Sequence, residues 1–571
     1  MKNKSAIIML LFVLVIFANS QNVNSYRAQL DYLAEVARYD FQPEPGVHVK
    51  SKTPYILEAL NALEDAPEEV KKQAKMILSP DETLEEIYDT PEGHFRIHYE
   101  TTGSGGVDME FVETLGEYFE YAYDLIIDSL GYLPPPSDGG YGGADNIDVY
   151  VRYLYYYGST TPIEAGDYDW DDRSSYIEIN NNFDGFPAND DPEGAPWGHL
   201  KVTSAHELYH VVQLGYRGSI ANPWILEIGA TWMEDAAWNH VNDYIAYVDN
   251  FYEEPHVSIT NASGMHMYGS CVFFHFIEDK LGINAIRKIW ENARYIDDYT
   301  ICLDSAFAEY ESSLEYEFAE FSYWNWFTYD RDIGIYFEDA DRWDPVYVEN
   351  TITSYPAFEN LSRRPNFLGS SYIVLENINP EQPGMLVNIY GSTSTTWKLR
   401  TIVENADETY MLNRMQIPSS GEAGVYIDEL ENVERIIVIP SAVEGSASAS
   451  WETFALSFDA NYADIDTIYT ELERIEKIDE NQILPDIITT IAYPNPFNSS
   501  CTIELENHQE KSPSKIRIMD LSGRRIEEFA LQNGQNKITW NPKGLPSGMY
   551  LYSIENQDGN SMKMGKIILQ K

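Results

Sequence analysis

His206-Glu207-Leu208-Tyr209-His210 reads H-E-x-x-H. On a helix, imidazoles at i and i+4 rise from one face about a turn apart, which suits two corners of a tetrahedral zinc site. Glu207 is displaced around the helix, close to where a water on the metal would sit, and there it can act as general base. Thr203 and Ser204 offer an N-cap, and Leu208, Val211, Val212 and Leu214 supply apolar faces, so a helix is expected. A plainer reading fits the same residues: Ser204-x-x-Glu207 is a capping box, in which Glu207 only ties down the helix start and the histidines are coincidental.

Zinc in a hydrolase takes a third protein ligand and keeps a position open. WILEIGATWMEDAAW, residues 224–238, has helical spacing and follows a loop between Gly215 and Pro223, so it is expected to return antiparallel. Glu227 at its start then faces the two histidines. Glu234, about two turns on, is the rival ligand or else a partner that orients a histidine. His240 is a weaker candidate. Two histidines and one carboxylate leave the metal net positive and able to acidify water. For steadying an oxyanion, His266 and Tyr268 in HMYGSCVFFHF are the candidates, with core packing as the alternative for both. His275, set among phenylalanines, is expected to be a core residue. Asn180, Asn182 and Asp184 with Gly185, and the run Asp167–Asp172, have the oxygen density that calcium favours, although acidic turns are common in such a chain.

Strands are expected at HFRIHY (94–99), NIDVYVRYL (146–154) and SYIEI (175–179), and helices over 111–130 and through much of 203–330. Strands and helices segregated in this way make an α+β domain. SYIEINNNF is a candidate edge strand for holding an extended peptide. Before this domain the spacing is helical but broken by prolines, and residues 21–88 form a helical segment that is a possible propeptide. After it, residues 346–462 show short alternating runs such as SYIVLEN and RIIVIP, the pattern of a β-sandwich. A polar connector, 463–490, leads to a last strand-and-turn unit at 491–571.

The whole chain of 571 residues is 44% hydrophobic and 13% aromatic, so it can bury several cores. Its 92 acidic against 38 basic residues give a net charge of -54, which argues against nucleic-acid and anionic-bilayer partners. Three cysteines exclude a disulfide framework. Cys271 and Cys302 are either a pair or two free thiols. Lys2 and Lys4, the apolar run Ala6–Ala18 and the polar Asn19-Ser20 have the form of a secretory signal peptide, residues 1–20, and no later stretch is long and apolar enough for a transmembrane anchor.

HELYHVVQLGY with WILEIGATWMED resembles the gluzincin peptidases, and HFRIHYETTGSGG, LGYLPPPSDGG, NIDVYV and KVTSAHELYHVVQ resemble a family of secreted bacterial metalloproteases. The resemblance spans residues 90–280 and implies a zincin-like catalytic domain, placed at 89–345. In it His206, His210 and Glu227 hold Zn2+ and Glu207 is catalytic. Ile228 and Thr231 depart from the pattern: Thr231 stands where thermolysin-like enzymes keep an acidic residue that supports the site from behind. YPNPFN, KIRIMDLSGRRI and ITWNPKGLPSGMYLYSI are similar to the C-terminal sorting domain of the type IX (Por) secretion system, a small immunoglobulin-like sandwich. This implies passage through the periplasm and outer membrane by the type IX machinery, removal of the tail, and release or attachment to lipopolysaccharide. The expected function is a secreted zinc metalloendopeptidase acting on protein or peptide substrates. The rivals are a cell-surface adhesion protein with an inactive zincin domain, and a zinc hydrolase of non-peptide substrates.

Overall fold

In the computed structural model the apolar faces of three short helices, α1 (Arg27–Val36), α2 (Thr53–Asn61) and α3 (Glu68–Leu78), close on one another around Leu33, Ile56, Leu63 and Val70. The structure describes residues 26–38, 40–42, 49–80, 84–220, 222–464, 475–477, 489–493, 495, 497–506, 515–519, 524–532, 535–555 and 561–569. The signal peptide expected at 1–20 and most of the 463–490 connector lie outside the described residues. None of the described helices is long and apolar enough to cross a membrane.

Strands β1 (Glu86–Asp89), β2 (Phe95–Tyr99), β3 (Ile147–Arg152), β4 (Gly158–Ala165) and β5 (Arg173–Asn180) form one sheet in the order β1-β2-β3-β5-β4. The β2–β3 and β3–β5 pairs are parallel, and β4 runs antiparallel to β5. Strand β4 was not legible in the sequence, because Gly158, Pro162 and the small residues between them lack alternation. Its presence corrects the expectation that SYIEINNNF lies at the edge: β5 is interior, and β4 forms the edge.

Helix α4 (Met109–Tyr123) is capped by Asp108, whose carboxylate accepts from Phe111 N, and a π-helical turn, Asp124–Ser129, prolongs it. Helix α5 (Ala195–Tyr216) carries the H-E-x-x-H, and α6 (Trp224–Trp238) follows it. Every residue of α5 from Gly198 to Tyr216 is buried, because the helix packs on β4 and β5 and against α4 and α6. A helix buried on all sides has no polar stripe to show its period. Helix α5 starts at Ala195, with Gly194 ahead of it and Pro196 in its first turn. Thr203 and Ser204 are therefore mid-helix, their hydroxyls donating to the carbonyls of His199 and Lys201, which sets the capping-box reading aside.

The chain divides into two compact units. The first holds the sheet and helices above. The second takes in Tyr244–Asn292 and Ile296–Lys571. The expected domain at 89–345 is thus divided near Asp243. The helices beyond it make their aromatic core within the second unit, as in the Phe251–Phe321 and Phe276–Trp324 pairs. There, two sheets of five and six strands build the middle β-sandwich, and sheets of three and four strands build the C-terminal module around Phe497, Ile503, Trp540 and Ile567. Cys271, Cys302 and Cys501 are free and buried.

Candidate metal centre

His206 and His210 project from one face of α5, and Glu227 stands in the first turn of α6. The Nε2 atoms of the two rings are 3.1 Å apart. Glu227 Oε2 lies 3.4 Å from His206 Nε2, and its Oε1 lies 3.1 Å from His210 Nε2. Bonds of about 2.0–2.1 Å to a tetrahedral zinc put neighbouring ligand atoms about 3.4 Å apart, and one ligand atom from each of the three side chains lies within 4.8 Å of the other two, so the three converge on one point.

The rings are held in a definite state. His206 Nδ1 donates to Glu234 Oε1 at 2.7 Å, and His210 Nδ1 donates to Gln213 Oε1 at 2.7 Å. With Nδ1 occupied in this way, Nε2 of each ring is the nitrogen turned toward the other, as in metal sites whose ligands are oriented from behind. Two such nitrogens at 3.1 Å need a proton or a metal ion between them. Neither oxygen of Glu227 has a hydrogen-bond partner, although the residue is fully buried. A buried carboxylate without donors is costly, and a cation at the meeting point satisfies it. The carboxylates favour positive charge at this point. Burial pulls the His206 pKa down, but Glu227 and Glu234 outweigh it and raise it to about 10, so a bound cation would take the place of a proton there. Burial pushes Glu227 up, and His210 and His206 overcome it, bringing the carboxyl to about 2. The donor set, two imidazoles and a carboxylate, is one that zinc favours. Among the described residues no other group of three His, Cys, Asp or Glu side chains converges in this way.

Glu207 is fully buried beside the triad. Its Oε2 accepts from Thr160 Oγ1 of β4 at 2.8 Å, while Oε1 has no hydrogen-bond partner. Burial raises its pKa, and the Glu227 charge adds to the rise against the two histidines. One oxygen is anchored and the other is available, as a proton acceptor requires. Gly158 lets β4 approach: a Cβ there would sit 2.8 Å from Glu207 Cγ and 2.9 Å from the Glu178 carbonyl.

Sequence reasoning missed the outer ring. Gln213 lies one helical turn past His210, and its Nε2 donates to the Leu226 carbonyl at 3.1 Å, linking the two helices. That spacing was the one available signal. Lys50 Nζ contacts Glu234 Oε2 at 2.7 Å and also Asp243, joining a distant segment to the His206 side. Nothing in the sequence marked it. Thr231 is buried with its hydroxyl unpaired, so the rings are oriented by Glu234 and Gln213 rather than by Thr231. His240 is outside the triad, 3.7 Å from Asp191. His266 and Tyr268 belong to the second unit, where His266 Nδ1 lies 3.1 Å from the Asn250 carbonyl and Tyr268 packs with Tyr247 and Met267. His275 stacks on Tyr244 at 4.7 Å, within a buried aromatic group. The oxygens considered for calcium accept from the backbone: Asn180 from Leu154 and Asn182, Asn182 from Asp184, Asp171 from Ser219, and Asp172 from Tyr168.

Residues 491–570 match the family model of a secretion system C-terminal sorting domain, and the protein is accordingly secreted or carried to the cell surface. None of the curated proteins matches the chain. Solved structures with partial similarity include a biofilm-associated protein BSP domain, at 8% identity and a TM-score of 0.14, covering 38% of this chain and 51% of that one. The Yersinia pseudotuberculosis-derived mitogen has 12% identity and a TM-score of 0.15, covering 23% and 96%. The CBM51-2 and INT domains of Clostridium perfringens ZmpB have 11% identity and a TM-score of 0.12, covering 36% and 74%. The chain thus spans about half the length of the biofilm-associated domain.

Proposed function

We propose that this secreted protein is a zinc-dependent peptidase of the gluzincin type. The single observation that carries the reading is the convergence of His206, His210 and Glu227, with both Nδ1 atoms tied from behind and both Glu227 oxygens left without donors. When bound, zinc supplies Lewis acidity toward a carbonyl and lowers the pKa of water. Glu207 takes the proton of the attacking water on its available oxygen and passes it to the leaving amine, while Thr160 keeps the carboxylate from rotating away. Glu234 and Gln213 fix the ring tautomers throughout. The packed surroundings of the α5 and α6 side chains strengthen each of these interactions. The sorting domain fits delivery by the type IX machinery, with removal of residues 491–571 and release or attachment to lipopolysaccharide at the surface.

The test is metal content together with casein digestion by the protein and by Glu207→Gln. Zinc retained in both, with digestion lost only in the variant, supports the peptidase. Zinc absent, or equal inactivity of both forms toward proteins before and after the chain is cut between α3 and β2, points to a surface binding protein or to a hydrolase of other substrates.

A further inference from the structure

Strand β4 is the edge of its sheet, yet the part of it beside Glu207 is occupied. Tyr157 N and Gly158 N donate to the Lys50 carbonyl at 3.0 and 3.3 Å, and Lys52 N donates to the Gly158 carbonyl at 3.2 Å. Ser51 pairs with Gly158 in parallel register, and Thr160 N donates to Thr53 Oγ1 at 2.8 Å. Thr53 Oγ1 also lies 3.5 Å from Glu207 Oε2. Residues Val49–Thr53 are at most 1% exposed, and His206, Glu207, His210 and Glu227 are at most 2% exposed. A peptide substrate has no way to these groups while the segment is in place.

We infer that Val49–Thr53 is a built-in strap that keeps the peptidase latent, by filling the backbone positions on β4 that an extended peptide substrate takes, until the helical segment carrying it is cut away. The inference rests on the peptidase reading above. Three features make the segment separable. Helices α1–α3 have a core of their own. A cavity of about 250 Å³, lined by Leu57, Leu60, Ala74 and Leu78 on one side and Pro162 and Ile163 on the other, interrupts their packing on β4. The carboxylates that hold the strap each keep a partner when it leaves. Glu234 keeps His206, Asp243 keeps Tyr157 and His199, and Glu178, paired with Lys52 at 2.9 Å, keeps Arg152 and Ser159. Ser79, Glu85 and Glu86, between α3 and β2, are exposed to an endopeptidase. Hydrolysis of one peptide bond there consumes one water and leaves a carboxylate and an amine, and the two fragments are then held together only by noncovalent contacts. The vacated Gly158 and Thr160 amides would bind an extended peptide by strand addition.

The test uses the full-length, zinc-loaded protein with a site-specific endopeptidase sequence inserted after Glu85, before and after cutting and removal of the N-terminal fragment. Casein hydrolysis, zinc content and hydrogen exchange at Tyr157, Gly158 and Thr160 are measured. A strap open about one hundredth of the time lowers activity about a hundredfold, so cutting should raise hydrolysis by that order, leave zinc unchanged and speed exchange at the three amides. Lys52→Met in the uncut chain should raise hydrolysis about tenfold, by a shift in the same equilibrium. Equal activity of cut and uncut chains overturns latency while leaving the peptidase intact. Loss of zinc or of folding on removal of the fragment also overturns it, and makes the segment a permanent support of the site. No hydrolysis by either form, with zinc bound and the amides exchanging fast, overturns the peptidase reading and latency with it.

Discussion

Glu227 in the first unit and Glu320 in the second are both buried carboxylates on helices, and they differ in what surrounds their oxygens. Glu320 accepts from Arg400 Nε and Arg414 Nε at 2.8 Å each, and from Arg414 Nη2 at 3.0 Å. Burial pushes its pKa up, and the two arginines more than reverse this, so it is a completed ion cluster. Both oxygens of Glu227 face ring nitrogens and accept no hydrogen bond. A buried charge with all its partners present is scaffold, because the protein has already met the desolvation cost. A buried charge that accepts no hydrogen bond, beside two ring nitrogens turned to the same point, calls for a cation there.

Substitutions should pull the two regions apart. Glu207→Gln is expected to lower turnover by about 10²–10⁴-fold with zinc content unchanged, as measured by casein hydrolysis and metal analysis. Glu320→Ala should destabilise the second unit by about 3–5 kcal/mol by stranding two arginines, as seen in thermal unfolding, and leave zinc affinity where it was. A drop in zinc affinity with Glu320→Ala would blur the contrast. Gln213→Ala and Glu234→Gln should each weaken zinc affinity or activity by about 10–100-fold, measured by competition with a chelator.

The smallest effect expected is one of pH. Burial raises the Glu178 pKa, but Lys52 first, then Arg152, outweigh it, and hydrogen bonds from Lys52 and Ser159 add to the lowering. Tyr156 and Tyr176 also face this carboxylate, and both stay neutral because burial raises them far above their usual range. The folded pKa of Glu178 is therefore below its unfolded value of about 4.3, so its stabilisation is present above that pH and is lost as pH falls through the folded pKa. Acidification below about pH 4 should speed hydrogen exchange at the Lys52 amide, and Glu178→Gln should remove that acid step.

Some of this was readable from residue types. The i, i+4 histidines needed only a helix to share a face, and Glu227 needed only a loop and a returning helix, so local periodicity carried both. Gln213 shared that helix and was overlooked because an amide is not a metal ligand. Alternation at Ile147–Arg152 and in the RIIVIP segment announced strands, whereas β4, built largely of Gly, Ser, Thr and Pro, announced nothing. The division of the two compact units near Asp243 was not legible, because helices after Asp243 have apolar faces that fit either unit on paper, and aromatic packing selects one.

The chain by itself determined which side chains could do chemistry: the two histidines on one helix face, the carboxylates near them and the export tail, since each depends on neighbours within a few turns or on a contiguous module. Only the tertiary structure decided which distant groups close over the site. Lys50 reaches Glu234 and Thr53 reaches Glu207 across long stretches of chain, and such contacts depend on how packed elements converge rather than on any local pattern.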